Sequence, residues 1–349
     1  MDQARTGLHY QLSVGVDIAA ASFDASWLPR AGRPTPAQTY PQTTAGFAAL
    51  QQQVQATGAA PEATLVVLEA TGSYWAALAV SLHQAGSAVA IVNPAQVHNY
   101  AKSLPRRSKT DALDAHLLAQ FAAERQPETW TPPPTVYHEL RQRLVARDGL
   151  LAMRQQARNQ LHALVQWPVP VPAVHAQMEQ VIAALDEQID ALEHGIAEVL
   201  ADGAWAVSAA HLQSIPGIGL VTAGWILVAT VNFTTGATPE AATQSAGLAP
   251  VDRESGSSLR GRARIGHGGN GRLRTALYMA VLRAAQHNPL IKTFYTRLWA
   301  AGKPVKVARC AAARKLLHLA FAVVTKGQRY TPSFKPVSSA VGDPTNIGA

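Results

Sequence analysis

Two short, strongly apolar runs, each with an acid at or near its end, most constrain the fold of the N-terminal part of the chain. The first is Leu12–Ile18 (LSVGVDI), with Asp17 near its end, and the second is Thr64–Glu69 (TLVVLE). Short runs this rich in Val, Leu and Ile are typical of strands buried within a sheet. An acid at the end of a buried strand lies at the edge of the sheet, where a ligand can reach it.

The surrounding segments predict a mixed-sheet α/β domain over residues 10–126. Alternating polarity predicts a strand at Ala21–Leu28 that pairs with the first run as a hairpin, and Thr39–Pro41 and Ala88–Val92 add two more. Asn93-Pro94 is interpreted as the stop of the last strand. Helical patterns occupy Ala45–Gln55, Ser73–Gln84 and Asp111–Arg125. Strands first, followed by alternation with helices, are typical of an α/β fold.

Prolines divide the rest of the chain into helical parts, so the predicted fold class is α/β plus α. The proline-rich stretch at 127–134 predicts a linker or a rigid turn. Residues 135–202 predict a helical hairpin of Val136–Gln166 and Val174–Leu200, and the second helix has the heptad-like spacing of a coiled coil. Packing on its own chain and contact with a dimer partner both fit that spacing. A mainly helical domain is expected over 207–328 and a flexible tail over 330–349.

Positive charge is concentrated in the C-terminal half of the chain. The 349 residues carry a formal net charge of +8, and Asp252–Lys315 alone contains fourteen Lys/Arg against two acids. Such polarity predicts a surface for a polyanion, although a merely solvated basic surface is the alternative. The single cysteine, Cys310, cannot form an internal disulfide, and no apolar run is long enough for a bilayer. We therefore expect a cytoplasmic, nucleoid-associated protein with no membrane partner.

Four carboxylates are the candidate metal ligands: Asp17, Glu69, Asp111 and Asp114. Asp111 and Asp114 are three apart and share one helix face, where they repel each other unless a cation neutralises them. Mg²⁺ or Mn²⁺ prefers oxygen ligands and leaves positions open for phosphate. Each acid alone has an equally good structural explanation, such as helix capping by Asp111. Four basic residues before the helix favour an approaching phosphate: Lys102, Arg106, Arg107 and Lys109.

A glycine-containing motif at Ser214–Thr222 (SIPGIGLVT) predicts a helix-hairpin-helix. In such a turn Gly217 and Gly219 let the backbone approach DNA, and the N–H groups of the following helix bind a phosphate without reading sequence. A structural helical turn with glycines is the alternative interpretation.

A small, polar segment at Glu254–Ser258 leads into three arginines, Arg260, Arg262 and Arg264. A serine hydroxyl is a weak nucleophile that needs a base, a metal or a cationic setting, and the arginines supply the last of these. The residues alone favour a flexible loop that contacts DNA over a nucleophile. Arg272 and Arg274 begin the next helix and are predicted phosphate contacts, whereas Tyr278 lies in an apolar helical pattern and is predicted to pack.

Several motifs together resemble one family. GVDIAAASFDASW, LEATGSYW, Val92-Asn93-Pro94 and SKTDALDAHLLAQFA resemble the N-terminal DEDD, RuvC-like domain of the IS-one-ten insertion-sequence transposases, which include the Piv-type DNA invertases. SIPGIG, SAGLAP, SGSSLRGRARI and GNGRLRTALYMA are similar to the C-terminal transposase domain of that family. The resemblance covers about Gly15 to Lys326. A lysine common after the first acid is replaced by Ala19-Ala20, which does not affect a metal ligand.

The resemblance implies a fold, a chemistry and partners. It implies an RNase H-like domain that binds divalent metal through Asp17, Glu69, Asp111 and Asp114. It implies that Ser255, the first serine of the SG[ST]S motif, attacks DNA and forms a covalent intermediate. It also implies homodimers that assemble to a tetramer on two duplexes, and a structured noncoding bridge RNA that pairs with donor and target DNA.

Alternatives remain open at this point. The same chemistry serves a site-specific DNA invertase, and the DNA sites that decide between inversion and transposition lie outside the chain. A metal-dependent junction-resolving nuclease would use water and leave Ser255 a mere contact. A non-catalytic nucleic-acid-binding protein descended from such an enzyme is the third possibility.

Overall fold

A computed structural model of the chain describes residues 10–70, 72–104, 111–234, 238–255, 259–266 and 268–332, with the backbone alone at 111–113 and 251–264. The chain divides into two compact units, Met1–Pro132 and Pro133–Ala349. The sequence predicted three domains and a tail. The helical hairpin falls within the second unit, and the three-part division stays a prediction.

The first unit is built on a mixed five-stranded sheet with the order β3-β2-β1-β4-β5. Its strands are β1 Leu12–Ile18, β2 Ser22–Pro29, β3 Gln38–Pro41, β4 Thr64–Glu69 and β5 Ala88–Val92. β1, β2 and β3 pair antiparallel, whereas β4 pairs parallel with both β1 and β5. The predicted strands and the β1–β2 hairpin are thus confirmed, and the apolar runs are the central strands because both of their faces are covered.

Helices cover both faces of this sheet: α1 Thr44–Ala56, α2 Trp75–Gln84, α3 Pro94–Ser103 and α4 Asp111–Arg125. A single 3-10 turn, Pro61–Ala63, leads into β4. α1 and α2 pack on the face that holds Val14, Val16 and Leu68. α3 and α4 pack on the other face, against Leu65 and Val67. Each strand therefore sends alternate residues into two separate apolar layers.

Gly15 allows α4 to lie directly on β1. A Cβ at this position would collide with the α4 backbone at Ala115 and Ala119, both of which are fully buried. Small residues on both elements let two backbones approach more closely than larger side chains would permit. This contact fixes the crossing point of α4 on the sheet.

The sequence interpretation of Asn93-Pro94 as a stop signal was incomplete. The pair ends β5 and also begins α3, with Asn93 as its N-cap and Pro94 in its first turn. The Asn93 side chain accepts a hydrogen bond from the amide of Ala95, 2.8 Å away. Proline suits the first helical position because the amide it lacks has no partner within the helix there.

The second unit opens with two long antiparallel helices, α5 Thr135–Leu164 and α6 Pro172–Ala201, as predicted. Ion pairs cross between them, including Arg147 with Glu193 at 2.6 Å and Arg154 with Asp186. Their tip is open to solvent, and the side chain of Trp167 is 68% exposed. Their base joins the main core of the unit through Leu140 and other buried residues.

Six further helices complete that core: α7 Ala206–Gln213, α8 Leu220–Thr230, α9 Pro239–Ser245, α10 Gly271–His287, α11 Pro289–Ala300 and α12 Val305–Thr325. α8 is buried along most of its length and packs among α5, α7 and α10. No helix within the described ranges is long and apolar enough to cross a membrane.

A two-stranded hairpin, β6 Pro250–Ser255 and β7 Leu259–Ile265, interrupts the helices. The sequence interpretation placed a flexible loop at Glu254–Ser258 and predicted neither strand. Glu254 and Ser255 belong to β6, and residues 256–258 lie outside the described residues. Pairing runs from Pro250 opposite Ile265 to Ser255 opposite Leu259, and its register shifts between Val251 and Arg253. β7 (LRGRARI) does alternate, with arginines between Leu259, Gly261, Ala263 and Ile265, but two of those four residues are Gly and Ala, which are depleted in strands.

Candidate functional site

Two of the four predicted ligands, Asp17 and Glu69, lie side by side on the sheet. They directly follow Val16 and Leu68, which are partners in the parallel β1–β4 ladder. Neighbouring parallel strands are about 4.8 Å apart, so these two backbones are separated by about that distance. Asp17 shares its strand face with Gly15, and Glu69 shares its face with Val67, so both acids belong to the face that α4 covers. Both are half-buried.

Asp114 is on the helix that packs against that same face. It is half-buried in the first turns of α4 and directly precedes Ala115, whose backbone lies against Gly15. Asp111 is the first residue of α4, and its side chain lies outside what the structure describes. Asp17 and Glu69 on the sheet and Asp114 on α4 therefore belong to elements that pack on each other.

The donor type of this group fits a hard divalent cation, because carboxylate oxygens are the ligands that Mg²⁺ and Mn²⁺ prefer. Among the side chains that the structure describes, no three His, Cys, Asp or Glu residues gather into a metal-binding group. The described geometry thus supplies a pair of adjacent acids, Asp17 and Glu69. The complete four-carboxylate site stays a prediction.

Asp24 is a further acid in this row that the sequence interpretation missed. It lies on β2 directly opposite Asp17, so the two carboxylates share one sheet face. The Asp24 carboxylate accepts a hydrogen bond from the hydroxyl of Thr39 on β3. The signal was present in the sequence, because a tight β1–β2 turn sets Asp24 opposite Asp17.

The basic cluster before α4 is only partly described. Lys102 is exposed in the last turn of α3. Arg106, Arg107 and Lys109 lie outside the described residues, and their phosphate contacts stay predictions.

Ser255 is the last residue of β6 and pairs with Leu259, so it lies at the far end of the hairpin from its base. Ser257 and Ser258 lie outside the described residues. Arg260, Arg262 and Arg264 are on β7, the strand paired with β6. The candidate nucleophile and the three arginines therefore share one hairpin, and the structure describes its backbone only.

The two arginines that begin α10 have different surroundings. Arg272 donates to Asp148 on α5 over 3.2 Å and lies over the ring of Trp225, and its side chain is 48% exposed. Arg274 donates to backbone carbonyls at both ends of the hairpin. The partners of Arg274 could not be recognised from the sequence, because every peptide carries the same carbonyl.

The predicted helix-hairpin-helix occupies α7, the turn at 214–219 and α8, and its two glycines differ. Gly217 has φ of +104°, and a Cβ there would lie 2.7 Å from the backbone of Ala284 on α10. Gly219 precedes α8, and apart from its chain neighbours no residue in the part of the chain that the structure describes lies within 4 Å of a Cβ there. Gly217 is thus explained by packing, whereas Gly219 is open to a ligand.

Tyr278 packs between helices, which agrees with the sequence interpretation. Its hydroxyl accepts a hydrogen bond from Arg309 on α12 over 3.4 Å, and the guanidinium lies 5.6 Å from the ring centroid.

The sheet order, with carboxylates at the ends of its two central parallel strands, is consistent with an RNase H-like fold, a class of nucleic-acid-processing domain. Comparison with known proteins points to nucleic-acid processing as well. Residues 14–170 match a profile described as a transposase, the DEDD domain of the IS110 group. Residues 209–296 match the transposase profile of the IS116/IS110/IS902 family.

Relatives along the whole chain agree with these matches. A pilin gene-inverting protein of Moraxella bovis is 32% identical over 91% of this chain and 97% of its own length. A transposase for the insertion sequence element IS1328 of Yersinia enterocolitica is 24% identical over 79% of this chain and 88% of its own length. An IS110 protein of Streptomyces coelicolor is 32% identical over 45% of this chain and 35% of its own length. The chain therefore belongs to the IS116/IS110/IS902 family of transposases, which are DNA recombinases.

Proposed function

We propose that this chain is the transposase of an insertion sequence, which cuts and rejoins DNA strands with a carboxylate metal site and Ser255 as nucleophile. The observation that carries the proposal is the β1–β4 pairing, which sets Asp17 and Glu69 side by side on the α4-facing side of the sheet. Membership of a transposase family supports phosphodiester chemistry at that acid pair.

In this proposal Asp17, Glu69, Asp111 and Asp114 hold Mg²⁺ or Mn²⁺. When bound, the ion neutralises the negative charge of a phosphodiester and makes its phosphorus easier to attack. Asp24, opposite Asp17, adds negative charge to the same row of residues. Because this negative charge repels the phosphates of DNA, a cation must neutralise it before DNA can approach.

The strand-breaking step is a transesterification. The Oγ of Ser255 forms a bond to phosphorus, the bond from phosphorus to the leaving sugar oxygen breaks, and the serine proton is lost as the leaving oxygen gains one. A sugar hydroxyl of another strand then attacks the phosphoserine ester, which restores the serine and joins the new strand. One phosphodiester is exchanged for another, so no energy source is needed. Arg260, Arg262 and Arg264 neutralise the phosphate at the hairpin.

Ser255→Ala tests the nucleophile. We expect loss of the protein–DNA adduct and of joined product by at least about 10³-fold, as for loss of an essential catalytic group. Ser257→Ala is the matched control and keeps both. If Ser255→Ala cuts at the wild-type rate without an adduct, the chain is a metal-dependent nuclease that uses water.

Asp17→Asn and metal removal test the carboxylate site. Asp17→Asn keeps the side-chain shape and loses the charge, so cutting falls in Mg²⁺ and binding of duplex DNA persists. Chelation abolishes cutting, and Mn²⁺ restores it. If neither wild type nor Asp17→Asn cuts any substrate while both bind DNA, the chain is a non-catalytic nucleic-acid-binding protein.

Inversion is the second candidate function, favoured by the 32% identity to the pilin gene-inverting protein over nearly all of both chains. The chemistry is the same, and the arrangement of DNA sites decides. If the chain is an invertase, a plasmid with two inverted sites yields an inverted segment. If it is a transposase, a plasmid with element ends yields an excised or inserted element.

The proposed partners are DNA and a structured noncoding bridge RNA, bound by homodimers that assemble to a tetramer on two duplexes at the nucleoid. Basic charge accommodates both nucleic acids. RNA that copurifies with the protein, and loss of recombination after RNase treatment, would test the guide. Mass measurement by light scattering with and without DNA tests the assembly.

A further inference from the structure

The base of the β6–β7 hairpin, which we define as Ser245–Leu248 and Gly268–Asn270, is closed by backbone contact. The amide of Asn270 donates to the carbonyl of Ser245 over 2.6 Å. Gly247 and Gly269 both have positive φ, +65° and +82°. A Cβ on Gly269 would lie 2.8 Å from the Cα of Gly247, so the two segments touch through main chain alone.

The Arg274 side chain joins the two segments of the hairpin base. Its Nη1 donates to the carbonyl oxygens of Ala246 at 3.5 Å, Gly247 at 3.4 Å and Gly268 at 3.1 Å. The first two precede β6 and the third follows β7. A Cβ on Gly247 would collide with this guanidinium, so the glycine leaves room for it. Nη1 carries two hydrogens, which the three carbonyls share, and the planar guanidinium fixes the direction of both.

We propose that Arg274 is a positioning residue: it fixes the angle at which the hairpin leaves the second unit and thereby places Ser255. This inference rests on the proposed function, since Ser255 is the nucleophile only there. Arg274 lies at the start of α10, a helix whose Leu273 and Leu277 are fully buried in the core. The hairpin is therefore tied to a rigid element rather than to another loop.

The length of the hairpin makes the angle at its base important. Six residues of β6 separate the base from the tip, which is about 20 Å at about 3.3 Å per residue. A tilt of about 3° at the base then moves the tip by about 1 Å. A misplacement of that size can cost about 100-fold in rate. Small changes at Arg274 should therefore affect chemistry far more than binding.

The experiment compares Arg274→Lys and Gly269→Ala with an Arg283→Ala control. Arg283 is exposed on the same helix, so the control removes a positive charge away from the hairpin base. Arg274→Lys keeps the charge and loses the planar guanidinium, and Gly269→Ala changes no charge. We expect both to slow adduct formation at saturating DNA at least 10-fold, with the Kd for DNA and its salt dependence unchanged. Arg274→Ala should regain rate when guanidinium ion is added.

Hydrogen exchange of the protein without DNA supplies the second measurement. Amides of the hairpin base and of β6–β7 should exchange faster in Arg274→Lys and Gly269→Ala than in wild type, while amides of α8 stay unchanged. If α8 also exchanges faster, Arg274 is a general stabiliser and the proposal is wrong. If Arg274→Lys exchanges like wild type, the proposal is equally overturned. A Kd that rises and a salt slope that falls as the rate falls would make Arg274 a phosphate contact instead.

This design separates two failures. If Ser255→Ala forms the adduct normally, the proposed nucleophile is wrong, and faster exchange in Arg274→Lys would still locate the control of hairpin angle at Arg274. If Ser255→Ala is inactive and Arg274→Lys reacts and exchanges like wild type, the nucleophile stands and the positioning role falls.

Discussion

Two residues of the same type that lie two positions apart in one motif have different roles in this chain. Gly217 is required by its backbone angle and by Ala284, whereas, among the described residues beyond its chain neighbours, none lies within 4 Å of a Cβ on Gly219. Arg272 pairs with a carboxylate and a ring, whereas Arg274 donates to three backbone carbonyls. Each distinction depends on a neighbour that is distant in sequence.

Gly217→Ala should destabilise the second unit, and Gly219→Ala should not. Alanine at a φ of +104° is strained and meets Ala284, which together cost about 1–3 kcal/mol or more. Urea unfolding of the two variants measures the difference. Equal stability of both would contradict the packing role of Gly217. A loss of DNA affinity in stable Gly219→Ala would support the predicted phosphate contact.

The positions of Asp17 and Glu69 could be predicted from the sequence, because each lies at or near the end of an apolar run. Asp17 and Glu69 follow runs of Val and Leu, and such runs become central strands. Their adjacency was not predictable, since it depends on which strands pair. Asp24 and the carbonyl partners of Arg274 needed the register and the tertiary fold.

At the scale of elements, a histidine links α9 to α12. His318 on α12 and the hydroxyl of Thr243 on α9 are 2.8 Å apart, directly before the hairpin base. Burial lowers the pKa of His318, and Arg314 lowers it further, whereas Glu240 opposes them. The neutral imidazole is therefore the form that the fold accepts.

Stability of the second unit should fall as pH drops below about 6.5, the ordinary pKa of histidine. Because the folded pKa of His318 is lowered, the unfolded chain binds the proton first, and its contribution is complete only above that pH. His318→Gln keeps hydrogen-bonding capacity and does not titrate. Urea unfolding at pH 8 and pH 5.5 should show a smaller loss for this variant. An identical loss in both proteins would argue against this role.

Elements with a strong pattern were predicted well, and the others were not. The long helix α6 has heptad-like apolar spacing, and the central strands β1 and β4 are continuous apolar runs. β7 alternates arginine with other residues, but Gly261 and Ala263 are depleted in strands, so its pattern alone does not indicate a strand. Asn93-Pro94 has two meanings, end of strand and start of helix, and the local sequence fits both.

At the scale of the whole molecule, charge is divided between sequence regions. Between Asp252 and Lys315 the chain has fourteen basic residues and two acids. Affinity for DNA should accordingly fall steeply with salt concentration. A plot of the logarithm of the association constant against the logarithm of salt concentration should fall with a slope of about 0.9 for each phosphate neutralised.

The double variant Arg260→Gln/Arg262→Gln should lower that slope by about 2, because each arginine is predicted to neutralise one phosphate. Arg30→Gln/Arg33→Gln removes the same charge from exposed positions after β2 and should leave the slope nearly unchanged. Binding of duplex DNA measured over a range of KCl concentrations decides this. Equal slopes for the two variants would mean that the net charge of the chain, and not the arginines of the hairpin, determines DNA binding.

The close seat of α4 on Gly15 has a consequence for biosynthesis. β1 and β4 leave the ribosome early, yet α3 and α4 together cover the face that carries Leu65, Val67 and both acids, and the cover is complete only once α4, residues 111–125, has been made. Until then a nascent chain exposes part of an apolar sheet face, which is prone to aggregate. A product cut short before α4 would keep all five strands of this sheet and lack the helix that packs on β1. The acid row is thus assembled only in a chain long enough to cover it.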